Sequence, residues 1–114
     1  MAFFSGISGY NYEFSEIPIN GSRFEDVYCV YIYAKLYQGF YTPLYIGKTI
    51  HLRTRLNEHN DDGVNTSTFI RGVTHILVHT PSARTMQEAE TKIENIERDL
   101  LLAINTPCNT SLNS

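Results

Sequence analysis

The chain has 114 residues, near the commonest size for one domain, and two separate cores would each be too small to hold without staples. Its 42% hydrophobic and 18% charged residues exclude the composition of a disordered chain, and no run approaches the roughly 20 apolar residues that cross a bilayer. A net charge of −3 argues against holding long nucleic acid through charge alone.

Residues 1–26 carry aromatics without a clean period and are expected to form an N-terminal extension with at most short elements, leaving 27–114 as the domain proper. Met1 to Gly9 has neither a basic leader nor a long apolar run, so the expected location is cytoplasmic. Cys29 and Cys108 lack the close spacing of zinc sites or secreted frameworks, and no disulfide is expected. From Val27 to Lys35, VYCVYIYAK is rich in β-branched and aromatic residues on both faces, which predicts a strand covered on both sides. Gly39 and Pro43 lie in the segment 36–43, which is expected to turn the chain back as a long hairpin loop before Leu44-Tyr45-Ile46-Gly47.

The period then changes. Thr49 is the expected N-cap of a short helix over 50–60, with Leu52 and Leu56 as its buried ridge and Arg55 and His59 as the neighbouring ridge. The run from 73 to 79 predicts a third strand. Thr85 and Glu88 form a capping box for a helix over 85–104, along which Met86, Ala89, Ile93, Ile96, Leu100 and Ala103 repeat at helical spacing, and Pro107 marks its stop. The expected architecture is α/β (α+β), a small three-stranded and mostly antiparallel sheet flanked by helices.

Charge is unevenly placed. Segment 48–59 is locally +2, with Lys48, Arg53 and Arg55 against Glu58, whereas 85–99 is locally −3. Within the acidic helix, at about 100° per residue, Glu97 projects near the centre of the apolar stripe. A carboxylate in such a place needs a compensating cation, which a salt bridge to an arginine of the other helix or a bound metal would supply. His75 and His79 share a strand face but lie roughly 13 Å apart, too far to hold one ion.

Val27-Tyr28 leading one strand, Tyr45-Ile46-Gly47-Lys48 in the next, Arg55 and His59 on the following helix, then Glu97, Pro107 and Asn109 together resemble the GIY-YIG nucleases. The closing segment is similar to that of excision-repair nucleases of the UvrC type. Two departures are Asp26, where the first motif usually has glycine, and a long gap from Tyr28 to Tyr45. Tyr28 and Tyr31 point to opposite strand faces, and Tyr28 is preferred because Val27-Tyr28 leads the strand.

The resemblance implies a DNA endonuclease that hydrolyses phosphodiesters with one Mg²⁺ or Mn²⁺ ion on Glu97. It implies Arg55 on the scissile phosphate, Tyr28 as general base, and Tyr45 or His59 orienting the water. A phenol with a pKa near 10 is a poor base, so the metal, Arg55 and Lys48 would have to favour its ionised form. Lys48 and Arg53 are expected on the substrate, Gly47 is expected to let the DNA backbone approach, and Asn109 is expected to hold the C-terminal loop. Specificity would come from residues 1–26, the 36–43 loop, a homodimer or a partner protein. A catalytically inactive module binding nucleic acid or protein, and an RNase toxin, remain open as other readings.

Overall fold

The apolar run Cys29–Ala34 is buried at every position in the computed structural model, which describes residues 1–20 and 23–112. It begins an interior strand, β3 (Cys29–Tyr37), and the chain reverses into β4 (Phe40–Thr49) through only two residues. Gln38 and Gly39 both have positive φ, 51° and 83°, the backbone twist that suits a two-residue hairpin, and Tyr37 pairs with Phe40. The long loop expected over 36–43 is therefore mostly ladder. Its alternation is obscured by a register shift after Tyr33, which leaves Leu44 as an extra residue between the Tyr33–Tyr45 and Ala34–Pro43 pairs. Pro43 is tolerated because β4 is an edge strand.

The sheet has five strands rather than three. Residues 1–26 supply β1 (Ala2–Ser5) and β2 (Asn11–Pro18), and with β5 (His75–His79) the order is β1-β2-β5-β3-β4, antiparallel throughout. The first half of β2 pairs with β1 and the second with β5. Tyr12 and Phe14 pack into one core cluster and Ile17 into the other, so the apolar face changes midway and no single alternation spans the segment. The tip between β1 and β2 is tied down by one carboxylate: Asp99 accepts from Ser8 N–H (2.9 Å), Ser8 Oγ (2.7 Å) and Tyr12 Oη (2.7 Å).

Helix α3 (Met86–Ala103) covers one face of the sheet, with Ile93 and Leu100 packed on Val30, Ile32, Ile46 and Leu77. Thr85 is its N-cap, with Oγ1 accepting from Glu88 N–H at 3.1 Å, while the Glu88 carboxylate accepts from Arg84 N–H at 3.2 Å, one residue before the cap. The other face carries α1 (Leu52–Glu58), α2 (Val64–Ile70) and α4 (Pro107–Leu112). The basic α1 segment and the acidic α3 thus lie on opposite faces. Among the described residues no helix is long and apolar enough to cross a membrane.

Thr49 ends β4 instead of capping α1, whose N-cap is His51. The open N–H groups of the first turn are met from a distance, Leu52 N–H donating to Val27 O (3.0 Å) and Thr54 N–H to Asp26 Oδ1 (3.2 Å). That backbone donor holds the Asp26 carboxyl below its ordinary range. Helix α2 has no periodic signal in Val64-Asn-Thr-Ser-Thr and is held by burying Val64 and Thr68. Pro107 opens α4 instead of closing α3 into a loop, a position where its missing N–H and fixed φ are favourable.

Asn109 on α4 completes the edge of β4. Its Oδ1 accepts from Ile46 N–H (2.7 Å) and its Nδ2 donates to Ile46 O (2.8 Å), so one buried amide replaces a missing neighbouring strand. Asn109→Ala strands both Ile46 groups and is expected to cost about 2–3 kcal/mol, read as a lower denaturant midpoint at unchanged slope.

Candidate active site

Tyr31 and Tyr33 are two residues apart on β3 and so share a face, and the pairing of Tyr33 with Tyr45 brings a third phenol from β4 beside them. His59, the C-cap of α1, is fully buried among these rings, with centroids 5.9, 5.9 and 5.2 Å from Tyr31, Tyr33 and Tyr45. Its Nε2 lies 2.6 Å from Tyr31 Oη, and its Nδ1 lies 2.8 Å from Asp62 Oδ2. Arg55, one helical turn before His59, reaches the same carboxylate at 3.7 Å and Glu58 at 3.4 Å. Tyr33 donates to Asn65 Oδ1, whose amide in turn donates to Leu56 O and Asn60 Oδ1.

Burial pushes the Tyr31 phenol far above its ordinary range, with the Arg55 charge opposing it, and pushes Tyr33 and Tyr45 up in the same way. Burial lowers the His59 imidazole, against the upward pull of Asp62. Burial also raises Asp62, but the Val64 N–H, His59 and Arg55 outweigh it and hold the carboxyl below its usual range. Near neutral pH the site therefore holds neutral phenols, a neutral imidazole, an ionised Asp62 and a charged, partly exposed Arg55.

The structure brings together Tyr45, Arg55 and His59, but not Tyr28. The Tyr28 hydroxyl donates to Pro81 O at 2.7 Å, and its ring packs on the core cluster under α3, across the sheet from His59. The phenol that meets His59 is Tyr31. Counted from Tyr31, the first motif reads Cys29-Val30-Tyr31 and its gap to Tyr45 is three residues shorter, which removes the long gap and frees Asp26 for its place at α1. Period-2 alternation separates the two tyrosines onto opposite faces, and only the helices decide which face carries the site.

Arg53 also stands apart. It lies about 200° around α1 from Arg55 and lines a cleft with Phe24 and Asn57. Gly47 serves Tyr31 rather than a backbone approaching from outside: a Cβ there would lie 2.5 Å from Tyr31 Cζ and Oη. Asp62 and Asn65 were not singled out by sequence, although Asp62 follows His59 at a spacing that permits contact. Lys48 is exposed on β4.

Glu97 of α3 is half-buried, and among the described residues no hydrogen bond or ion pair reaches it, so the arginine partner that helix geometry allowed is not there. Burial raises its pKa, with Lys48 the largest opposing influence, and its charge is felt by Tyr45. A partly desolvated carboxylate with no hydrogen bond or ion pair among the described residues suits a hard divalent cation. No three His, Cys, Asp or Glu side chains of the described residues gather as a metal cage, so Glu97 would hold the ion as the single carboxylate, with water filling the other positions.

Gly47→Ala is expected to displace the Tyr31 phenol from His59 and to destabilise the fold by about 1–3 kcal/mol, the usual cost of overpacking. Thermal denaturation and the ring resonances of His59 test both parts.

The family model of the GIY-YIG catalytic domain matches residues 27–101, which contain β3, β4, α1, α2, β5 and most of α3. The chain matches no curated protein and no solved structure. The matched span covers most of the chain and includes Tyr31, Tyr45, Arg55, His59 and Glu97, and the chain belongs to the GIY-YIG family of nucleases.

Proposed function

We propose that this protein is a Mg²⁺-dependent DNA endonuclease whose working residues are Tyr31, Tyr45, Arg55, His59 and Glu97. The observation that carries the reading is the 2.6 Å contact between Tyr31 Oη and His59 Nε2, placed beside Arg55. Hydrolysis at phosphorus needs a sink for the proton of the attacking water next to a fixed positive charge, whereas a surface that only binds nucleic acid uses the charge and has no need of the proton sink.

The guanidinium of Arg55 offers two parallel donors to the scissile phosphate. Tyr45 is partly exposed and Tyr31 enclosed, so the water meets the phenol pair on the Tyr45 side. A resting phenolate is disfavoured by burial, so the proton passes through. As the water oxygen bonds to phosphorus, its proton enters the phenol pair and the Tyr31 proton moves to His59 Nε2. The resulting imidazolium is balanced by Asp62. The P–O bond to the leaving 3′-oxygen breaks, and that oxygen takes a proton from solvent. When bound at Glu97, a divalent ion supplies charge stabilisation to the phosphate and the leaving oxygen, and Mg²⁺ suits a site with one carboxylate because it keeps several waters. Lys48 adds a further cation for the DNA backbone.

Of the segments expected to supply specificity, residues 1–26 contribute β1 and β2 and the 36–43 loop is mostly β3–β4 ladder. We therefore expect weak sequence preference, recognition of a DNA structure, or a partner protein that supplies specificity. One such site cuts one strand at a time, so clean double-strand breaks would require a homodimer or two events.

Incubation with supercoiled plasmid and Mg²⁺ should give nicked or linear DNA, lost with EDTA and in Glu97→Ala. Tyr31→Phe and Tyr45→Phe should each lower kcat by about 10²-fold or more, the scale of a general-base contribution, while Tyr28→Phe stays near the unsubstituted rate. Loss of cleavage in Tyr28→Phe alone would reverse that assignment. Nucleic-acid binding unchanged in Glu97→Ala, with no cleavage of any DNA, would favour the binding-module reading, and RNA cut in EDTA would favour the RNase. His59 must be neutral at Nε2 to accept the proton, and burial lowers its pKa, so the acidic fall in kcat/KM should lie below the ordinary histidine value of about 6.5.

A further inference from the structure

We propose that Asp62 is a positioning residue for this reaction, holding His59 in the one tautomer that leaves Nε2 free to accept the proton of Tyr31. The inference rests on the nuclease reading above and adds to it a residue outside the family motifs.

A neutral imidazole has one N–H donor and one lone-pair acceptor, and an ionised carboxylate only accepts. Asp62 Oδ2 lies 2.8 Å from His59 Nδ1, so Nδ1 carries the proton. Nε2 is then the acceptor, and the 2.6 Å contact assigns the hydrogen to Tyr31 Oη. His59 is fully buried, so water does not compete for either nitrogen.

The carboxylate is itself held. Its Oδ1 accepts from Val64 N–H at 3.1 Å at the start of α2, fixing the Asp61-Asp62-Gly63 turn, while Gly63 takes φ 88° to let the chain enter the helix. The backbone closes the same loop, Asn65 N–H donating to His59 O at 3.1 Å. Oδ2 also lies 3.7 Å from Arg55, so one oxygen faces both the proton acceptor and the phosphate-binding cation. The charged or titratable groups facing His59 are Tyr31 and Tyr33 of β3, Tyr45 of β4, Arg55 and Glu58 of α1, and Asp62. Asp62 is the carboxylate among them in hydrogen-bond contact with the ring. The arrangement follows the logic of a histidine oriented by a carboxylate behind a hydroxyl group, here with a phenol in the hydroxyl position.

The test is imidazole ¹⁵N NMR of the full chain at a pH where His59 is neutral, joined to cleavage kinetics of Asp62→Asn and Asp62→Glu. In the unsubstituted protein Nδ1 should be protonated and Nε2 should show an acceptor shift. In Asp62→Asn, whose amide can present oxygen or nitrogen to the ring, the Nε2–H tautomer should appear. Its kcat should fall by about 10–10²-fold with KM little changed, and the acidic limb should move to lower pH because the carboxylate that raises the His59 pKa is gone. Asp62→Glu should restore Nδ1–H and part of kcat. Nε2–H in the unsubstituted protein, or Asp62→Asn with unchanged kcat and pH profile, would overturn the inference. Nδ1–H in a protein that cuts no nucleic acid would instead overturn the nuclease reading while supporting the orienting contact.

Discussion

A histidine without access to water must satisfy both ring nitrogens inside the protein, and the way His59 does so organises one whole face of the sheet. Tyr31 can reach it only because Gly47, its partner across the β3–β4 ladder, leaves space where any side chain would collide with the phenol. Asp62 can reach it only because the turn into α2 is pinned by Val64 N–H and by a left-handed Gly63. Hydrogen bonds that are modest in water become demanding in this setting, since each unmet partner would leave a buried polar atom stranded. Among the described residues, no buried side-chain nitrogen or oxygen lacks a partner.

The edge strand β4 joins this polar face to the other side of the sheet. Tyr45 points toward His59, Ile46 toward the core under α3, and the Ile46 backbone is sealed by Asn109. Glu97 arrives from α3, on the face opposite the tyrosines, yet its charge acts on Tyr45 and is opposed by Lys48. The edge is thereby closed to a further strand at Ile46, where the Asn109 amide takes both backbone groups. Arg55 and His59 thus come from α1, Tyr31 from β3, Tyr45 from β4 and Glu97 from α3, without crowding one element.

Much of this was legible along the chain. The capping box and 3.6-residue period located α3, and the same period put Glu97 on its apolar side, where a carboxylate needed an explanation. The i, i+4 spacing placed Arg55 and His59 on one ridge of α1. Other features were hidden for identifiable reasons. β2 buries one face and then the other, α2 lacks both propensity and period, and a register shift disguised a tight hairpin as a loop. The N-terminal turn of α1 is completed by Asp26, distant in sequence, so the nearby Thr49 misled.

The sequence by itself determined the identity of the elements that carry the site and the residue types available for chemistry, because hydrophobic period and local spacing are properties of neighbouring residues. Only the tertiary structure decided that Tyr31, rather than Tyr28, meets His59, that Asp62 stands behind the imidazole, and that Glu97 finds no arginine. The reason is physical: extended backbone puts Tyr28, just ahead of β3, and Tyr31 within it on opposite faces, but which face meets α1 depends on how the helices distribute over the two sides of the sheet.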